Sequence, residues 1–268
     1  MAGSRRDFLV LGAVLSGGYL AVRTGVSLLQ REVELAFDPI GRPAGFRRMA
    51  GGATSGGGFD PFVGLGAATD DRPDPAAVAA VEADLCASLF NGWTRDSGVV
   101  PIASFSDYNC PICRVTTRRL AEADAVLDGT ARITWHELPI LGETSHLAAR
   151  AALAADRQGA YMAFHKRLMG NPFRANQAYI DAIAGDLGLD RERFVADMKG
   201  SEVASRIARS LALREIFAFP GTPAIVVGRT VIEGDVSEAM FARVIALERR
   251  AGPPPGCGSR PAGFPSSD

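Results

Sequence analysis

Apolar and polar positions along the chain change rhythm several times, and each change marks an element. An uncharged apolar run over residues 8–22 follows the pair Arg5-Arg6. Asp74-Pro75 then opens a helix, with Asp as N-cap and Pro in the first turn, carrying Val78, Val81, Leu85 and Leu89 along one side. Residues 99–105 are a short apolar run after Gly98 and read as a strand. Helical sequence follows over 110–127, and 131–138 is a second strand with Ile133 and Trp135 on one face. A long Ala-rich helical stretch over about 145–216 is punctuated by Gly159, Gly170-Asn171-Pro172 and Gly188. Residues 224–227 and 230–232 form a hairpin joined by Gly228-Arg229, where a leading Gly suits a type II′ turn. Ser237 caps a last amphipathic helix bearing Met240, Phe241, Val244, Ile245 and Leu247.

Strand, helix, strand, helical block, hairpin, helix is the order of a mixed α/β domain. The simplest sheet it permits is a parallel first pair joined by a helical crossover, followed by an antiparallel hairpin. The domain is expected over 98–250, with a helical extension before it at 74–97. Residues 30–73 are dense in Gly and Pro and predict a flexible tether, although Phe37, Phe46, Phe59, Phe62 and Val63 point to partial pinning onto the domain. Residues 251–268, with Pro253-Pro254-Pro255, predict a loose tail. No internal repeat is present.

The 268 residues, 47% hydrophobic and 22% charged, suffice for a substantial core and exclude wholesale disorder. A net charge of −1 argues against a nucleic-acid partner held by a general electrostatic footprint. All but Lys166 and Lys199 of the 29 basic residues are Arg, spread along the chain rather than gathered in a patch. The opening Ser4-Arg5-Arg6-Asp7-Phe8-Leu9 resembles a twin-arginine export signal, an ordinary secretory signal being the alternative. A helix over 8–22 would span only ~22 Å against a hydrocarbon core of ~30 Å. With Arg23 snorkelling, the run extends through Leu28-Leu29 and reaches spanning length. No small-x-small cleavage site is evident, so residues 1–29 are expected to act as a signal or an uncleaved anchor, with the body exported to the periplasm.

The four cysteines are too few for a disulfide scaffold, so any role comes from spacing and surroundings. Cys110 and Cys113 lie within one helical turn at a strand-to-helix junction, close enough to bond to each other. Cys110 is expected at the N-cap and Pro111 in the first turn, so the Cys110 sulfur faces unpaired N–H groups and the positive helix end. Arg114 adds positive charge. Cysteines in such settings titrate at roughly 3.5–7.5 instead of about 8.5. Cys113, a turn deeper, is expected to be the buried resolving thiol. The alternatives are a zinc half-site, a soft Cu(I) ligand pair, or two inert core cysteines. Against zinc, Cys86, Cys257, His136, His146 and His165 supply no second Cys-x-x-Cys and no paired-His motif. His146 and His165 read as packing or surface residues.

Phe219-Pro220-Gly221-Thr222-Pro223-Ala224 precedes an apolar strand, a poor place for Pro223 unless Thr222-Pro223 is cis. Together with 107–113 (Asp-Tyr-Asn-Cys-Pro-Ile-Cys) and 137–142 (Glu-Leu-Pro-Ile-Leu-Gly), this segment resembles the DsbA-like thiol–disulfide oxidoreductases. The resemblance implies a thioredoxin-like mixed sheet with a helical insertion over 143–218, no cofactor, and protein thiols or disulfides as substrates. It implies that Thr222 and Pro223 face the cysteine pair, the Thr222 backbone pairing with an incoming peptide. It further implies re-oxidation by a quinone-linked membrane protein, or reduction by an electron-donating one if the enzyme runs as a reductase or isomerase. Family members often carry an acid where this chain has Ser104, and Lys where it has His136. His136 and Glu137 are the candidates to replace the missing proton carrier. Pro111-Ile112 lacks a His, so a less oxidising site than the family's strongest is expected. Cys86 and Cys257 flank the domain and are either a structural bridge or two free thiols.

Overall fold

The structure, a computed structural model, describes residues 35–56, 72–91, 93 and 98–257. The chain divides after Ala36, and the unit beginning at Phe37 is the one described below. The export segment expected over 1–29 lies outside the described residues. Among those described, no helix is long and apolar enough to cross a membrane.

Strands β1 (Asp38–Pro39) and β2 (Arg47–Ala50) come first, then helices α1 (Pro75–Ala83) and α2 (Leu85–Leu89). Next are β3 (Val100–Ser106), α3 (Pro111–Ala121), α4 (Asp124–Leu127) and β4 (Ala131–Glu137). Five helices follow, α5 (Glu143–Asp156), α6 (Tyr161–Gly170), α7 (Gln177–Asp186), α8 (Arg191–Met198) and α9 (Ser201–Phe217). The chain closes with β5 (Ala224–Val227), β6 (Thr230–Glu233) and α10 (Glu238–Ala251). The sheet order is β1-β2-β6-β5-β3-β4.

β3 is buried along its whole length because it has a neighbour on each side and helices on both faces. It runs parallel to β4 (Phe105 beside His136) and antiparallel to β5 (Phe105 beside Ala224). β5 and β6 form the hairpin, with Gly228 at φ +55° taking the left-handed position that the two-residue turn requires. Caps act where the sequence offers them: Asp74 accepts from Ala76 N–H and Ser237 from Met240 N–H. Helices α5–α9 fill the stretch between β4 and β5. Their Phe164, Ile180 and Phe194 form a cluster reaching Tyr108 and both Cys110 and Cys113. On the opposite side Phe105, Val226 and Val231 pack with Leu213 and Phe217 of α9 and Val81 of α1.

Within the stretch read as a tether, the pinning falls on Phe46, and a strand, β2, is added that the reading did not include. Phe46 is buried edge-on against Phe217 at 5.1 Å, a burial worth roughly 1.5–3 kcal/mol. β2 pairs in parallel with β6, and Arg47 donates to Glu248 Oε1 (2.6 Å) and Thr230 Oγ1 (2.9 Å). Four residues between Gly and Pro carry little local strand signal, and a parallel partner 183 residues further along makes the strand. The tail also differs from the loose segment expected: Arg229 donates to the carbonyls of Ala251 (3.0 Å) and Pro253 (2.9 Å), and Cys257 is bonded to Cys86. Residues 57–71 and 258–268 lie outside the described residues.

Candidate active site

β3 delivers the chain into the turn 107–109, and α3 starts at Pro111 with Cys110 as its N-cap. Proline at the first helical position has no N–H to leave unpaired, and the cap sulfur takes the Cys113 N–H at 3.1 Å. The free thiols Cys110 and Cys113 are both buried. On the other side of Cys110 lies the loop before β5, whose Thr222–Pro223 peptide is cis. The Cys110 thiol points at the Thr222 carbonyl, 3.5 Å away.

Hydrogen bonding acidifies Cys110 to about 6, first from the Cys113 side chain and then from the side chains of Ser55 and Thr222, against the opposing effect of burial. Cys113 moves the other way: burial, then the neighbouring Cys110, pushes its thiol well above the ordinary range. One sulfur is therefore ionised at neutral pH and the other protonated. That asymmetry lets the first act as nucleophile and leaving group, and the second hold a proton.

Asp107 holds the cysteine turn to the rest of the site. Its Oδ1 accepts from Asn109 N–H (2.7 Å) and Ser145 Oγ (2.6 Å), and its Oδ2 from Ile140 N–H (2.8 Å) and Leu141 N–H (3.0 Å). This one carboxylate joins the turn, the 138–142 loop and the start of α5. Burial raises its pKa, and these four donors oppose the rise.

The tuning candidates separate by side of the sheet. Glu137 faces the insertion, where Tyr108 (2.7 Å) and Tyr161 (2.6 Å) both donate to its Oε1. Burial lifts its pKa to about 7 despite those bonds. His165, expected at the surface or as packing, is buried in this cluster, with Nδ1 2.9 Å from the Tyr108 hydroxyl and burial lowering its pKa to about 4. His136, one residue along the strand, points to the opposite face, stacked on Phe105 with its Nε2 2.9 Å from Leu89 O. Alternation along β4 thus removes His136 from the cysteine side, and burial keeps it neutral at a pKa of about 4. Arg114 is directed into the groove lined by Val115, Met162 and Lys166, and the groups acidifying Cys110 are Cys113, Ser55 and Thr222 instead. Ile112 packs against the insertion's core. Ser104 is buried with no partner for its hydroxyl among the described residues.

Sequence reasoning assigned no role to Asp107, Ser55, Tyr108 or Tyr161. Asp107 carried a signal, being an acid in the turn between a buried strand and a capped helix. The others are brought in by contacts 24 to 167 residues distant, which no local pattern reports. Among the described residues no group of three or more His, Cys, Asp or Glu is placed to hold a metal ion.

Residues 101–246 match the family model for the DSBA-like thioredoxin domain. The chain belongs to the DSBA-like thioredoxin domain family. DsbA-like proteins of this fold are thiol–disulfide oxidoreductases. A thioredoxin-like oxidoreductase from Silicibacter pomeroyi is 39% identical, covering 62% of this chain and 99% of its own, with a TM-score of 0.57. A periplasmic thioredoxin-like protein from Salmonella enterica serovar Typhimurium is 26% identical over 61% of this chain and 95% of its own, with a TM-score of 0.54. The Na(+)/H(+) antiporter NhaA 3 of Salinispora tropica is 28% identical over 151 residues, 55% of this chain and 23% of that protein. This DsbA-like chain spans less than a quarter of the length of the curated relatives it matches.

Proposed function

We propose that the protein is a periplasmic disulfide oxidase whose redox pair is Cys110 and Cys113. The observation that carries this reading is the split between them, one sulfur acidified to about 6 at a helix N-terminus and its neighbour held protonated. A substrate thiolate attacks Sγ of Cys110 in the Cys110–Cys113 disulfide. The bond between the two enzyme sulfurs breaks, and Cys113 leaves and takes a proton. A second substrate thiolate then attacks the substrate sulfur of the mixed disulfide and expels Cys110 as a stable thiolate. The substrate gains a disulfide and the enzyme holds two electrons, which a quinone-linked membrane partner removes. Thr222 and Pro223, beside Cys110, serve as the peptide-binding edge.

Stabilising the reduced form by ionising Cys110 makes the disulfide a better oxidant. The Cys86–Cys257 bond supports an oxidising compartment, as do the double Arg near the N-terminus and the periplasmic Salmonella relative. The test is the equilibrium of Cys110/Cys113 with glutathione, together with oxidation of a dithiol peptide. The expected potential lies above the value of about −270 mV typical of thioredoxin and below about −120 mV. A potential at or below the thioredoxin value, with insulin reduction and no peptide oxidation, would overturn the oxidase and assign a reductase kept reduced by an electron-donating membrane partner.

A further inference from the structure

An exchange enzyme must bring its reactive sulfur to a sulfur on another protein, yet Cys110 is 0% exposed. Part of what covers it is the chain itself. After β2, residues 51–56 return along the edge of the site. Gly52 N–H donates to Asp235 O at 2.7 Å, and Asp235 N–H to Ala53 O at 3.2 Å. The segment then forms an antiparallel bridge with Thr222: Ser55 N–H donates to Thr222 O at 2.6 Å, and Thr222 N–H to Ser55 O at 2.8 Å. Both backbone groups of Thr222 are used, so no other peptide pairs with that residue while Ser55 is there. The Ser55 side chain is one of the groups that acidify Cys110. Serine and cysteine share one skeleton, so a peptide cysteine paired with Thr222 in the same register would present its sulfur to Cys110 at that point.

We infer that residues 51–56 are a built-in strap lying in the peptide-substrate groove, with Ser55 in the place of the substrate's cysteine. This rests on the disulfide exchange at Cys110 proposed above. The strap is fitted backbone to backbone: a Cβ on Gly56 would stand 2.5 Å from Pro220 O, and one on Gly221 2.5 Å from Ser55 O. It is nevertheless held lightly. Residues 51–53 are exposed and 54–56 half-buried, so none of its side chains is fully buried. A substrate strand that replaces it makes the same two bonds to Thr222, which makes strand exchange the route in. Serine cannot form a disulfide, so the strap competes without being consumed. Following the strap's path, a substrate needs a small residue after its cysteine, where Gly56 abuts Pro220.

Two variants of the full chain test this. Ser55→Cys, treated with oxidised glutathione, first closes Cys110–Cys113. The introduced thiolate at position 55 then attacks Cys110, Cys113 is released as a thiol, and the count of disulfides is unchanged. Peptide mapping is expected to find a bridge from position 55 to Cys110 as a main product in Ser55→Cys. A Thr54→Cys control should give no bridge from position 54 to Cys110. In Gly56→Val the added side chain meets Pro220 and lifts the strap. Iodoacetamide should then label reduced Cys110 about tenfold faster or more, because the open state is no longer a minor one. Equal labelling of Gly56→Val and wild type, or absence of the bridge in Ser55→Cys, would overturn the strap. Wild-type peptide oxidation is scored separately: an active enzyme with neither effect removes the strap alone, and an inactive one removes both readings.

Discussion

The Thr222 carbonyl lies 3.5 Å from the Cys110 sulfur, although 112 residues separate them. Strand register closes that gap. Phe105 is paired with Ala224 across β3 and β5, so the turn leaving one strand and the loop entering the other meet at the same sheet end. Seven helices and β4 lie between them in the chain without disturbing the meeting point. The site depends on that pairing rather than on proximity in the chain.

Cys110 is expected to alkylate with a pH midpoint near 6 instead of about 9, the thiolate being the reactive form above the midpoint. Iodoacetamide rates on reduced protein between pH 4 and 9 measure this. Cys113→Ala removes the largest acidifying contact and should move the midpoint upward. A midpoint above 8 in the wild type would show that the helix terminus and its neighbours do not ionise the sulfur.

Stability of the reduced and oxidised forms should diverge with pH. Unfolded, Cys110 keeps its proton to about 9; folded, it loses it near 6. Between those values folding releases a proton, so the reduced form gains about 1 kcal/mol per pH unit as pH rises. The gain is lost as pH falls through 6. The oxidised form lacks the titrating thiol. Urea melts of both forms at pH 6, 7 and 8 give the difference, and a constant difference would contradict the assignment.

Removing Asp107 strands four donors that it alone receives at these distances. Asp107→Ala should cost about 2–4 kcal/mol, the range for a buried acceptor whose donors are left unpaired. It should also slow disulfide exchange by loosening the turn that carries Cys110. Denaturant unfolding and Cys110 labelling on the same preparation test both effects; a loss below about 1 kcal/mol would mean that water replaces the carboxylate.

Glu137 works against the fold at neutral pH. It holds its proton to about 7 folded and to about 4.5 unfolded, so stability falls as pH rises between those values. Glu137→Gln removes that fall while keeping an acceptor for Tyr108 and Tyr161. Wild type should lose on the order of 2 kcal/mol relative to Glu137→Gln between pH 4.5 and 7.5. Parallel stability curves for the two proteins would show that the carboxyl titrates normally.

The central strands, the capped helix at Pro111 and the hairpin at Gly228 were legible in the sequence because each rests on a local signal. A buried apolar run, an N-cap with proline and a two-residue turn need no distant partner to be read. The Cys110–Cys113 pair and the share of the acidification that Cys113 supplies follow from the same local logic; the share from Ser55 and Thr222 does not. β2 was not legible, because its four residues become a strand only against β6 and through Arg47 reaching Glu248. The sidedness of His136 and Glu137 follows from alternation, but which side faces the cysteines depends on where the insertion packs. Ser55 and Asp107 act through contacts with Thr222 and Leu141 that only the assembled fold creates.

The bond between Cys86 and Cys257 removes two of the chain's four cysteines from circulation. A client hooked on Cys110 then has a single internal exit, through Cys113, and no third thiol can intercept it. A chain lacking that exit becomes a snare that keeps whatever it catches, and so a means of fishing out the proteins it serves.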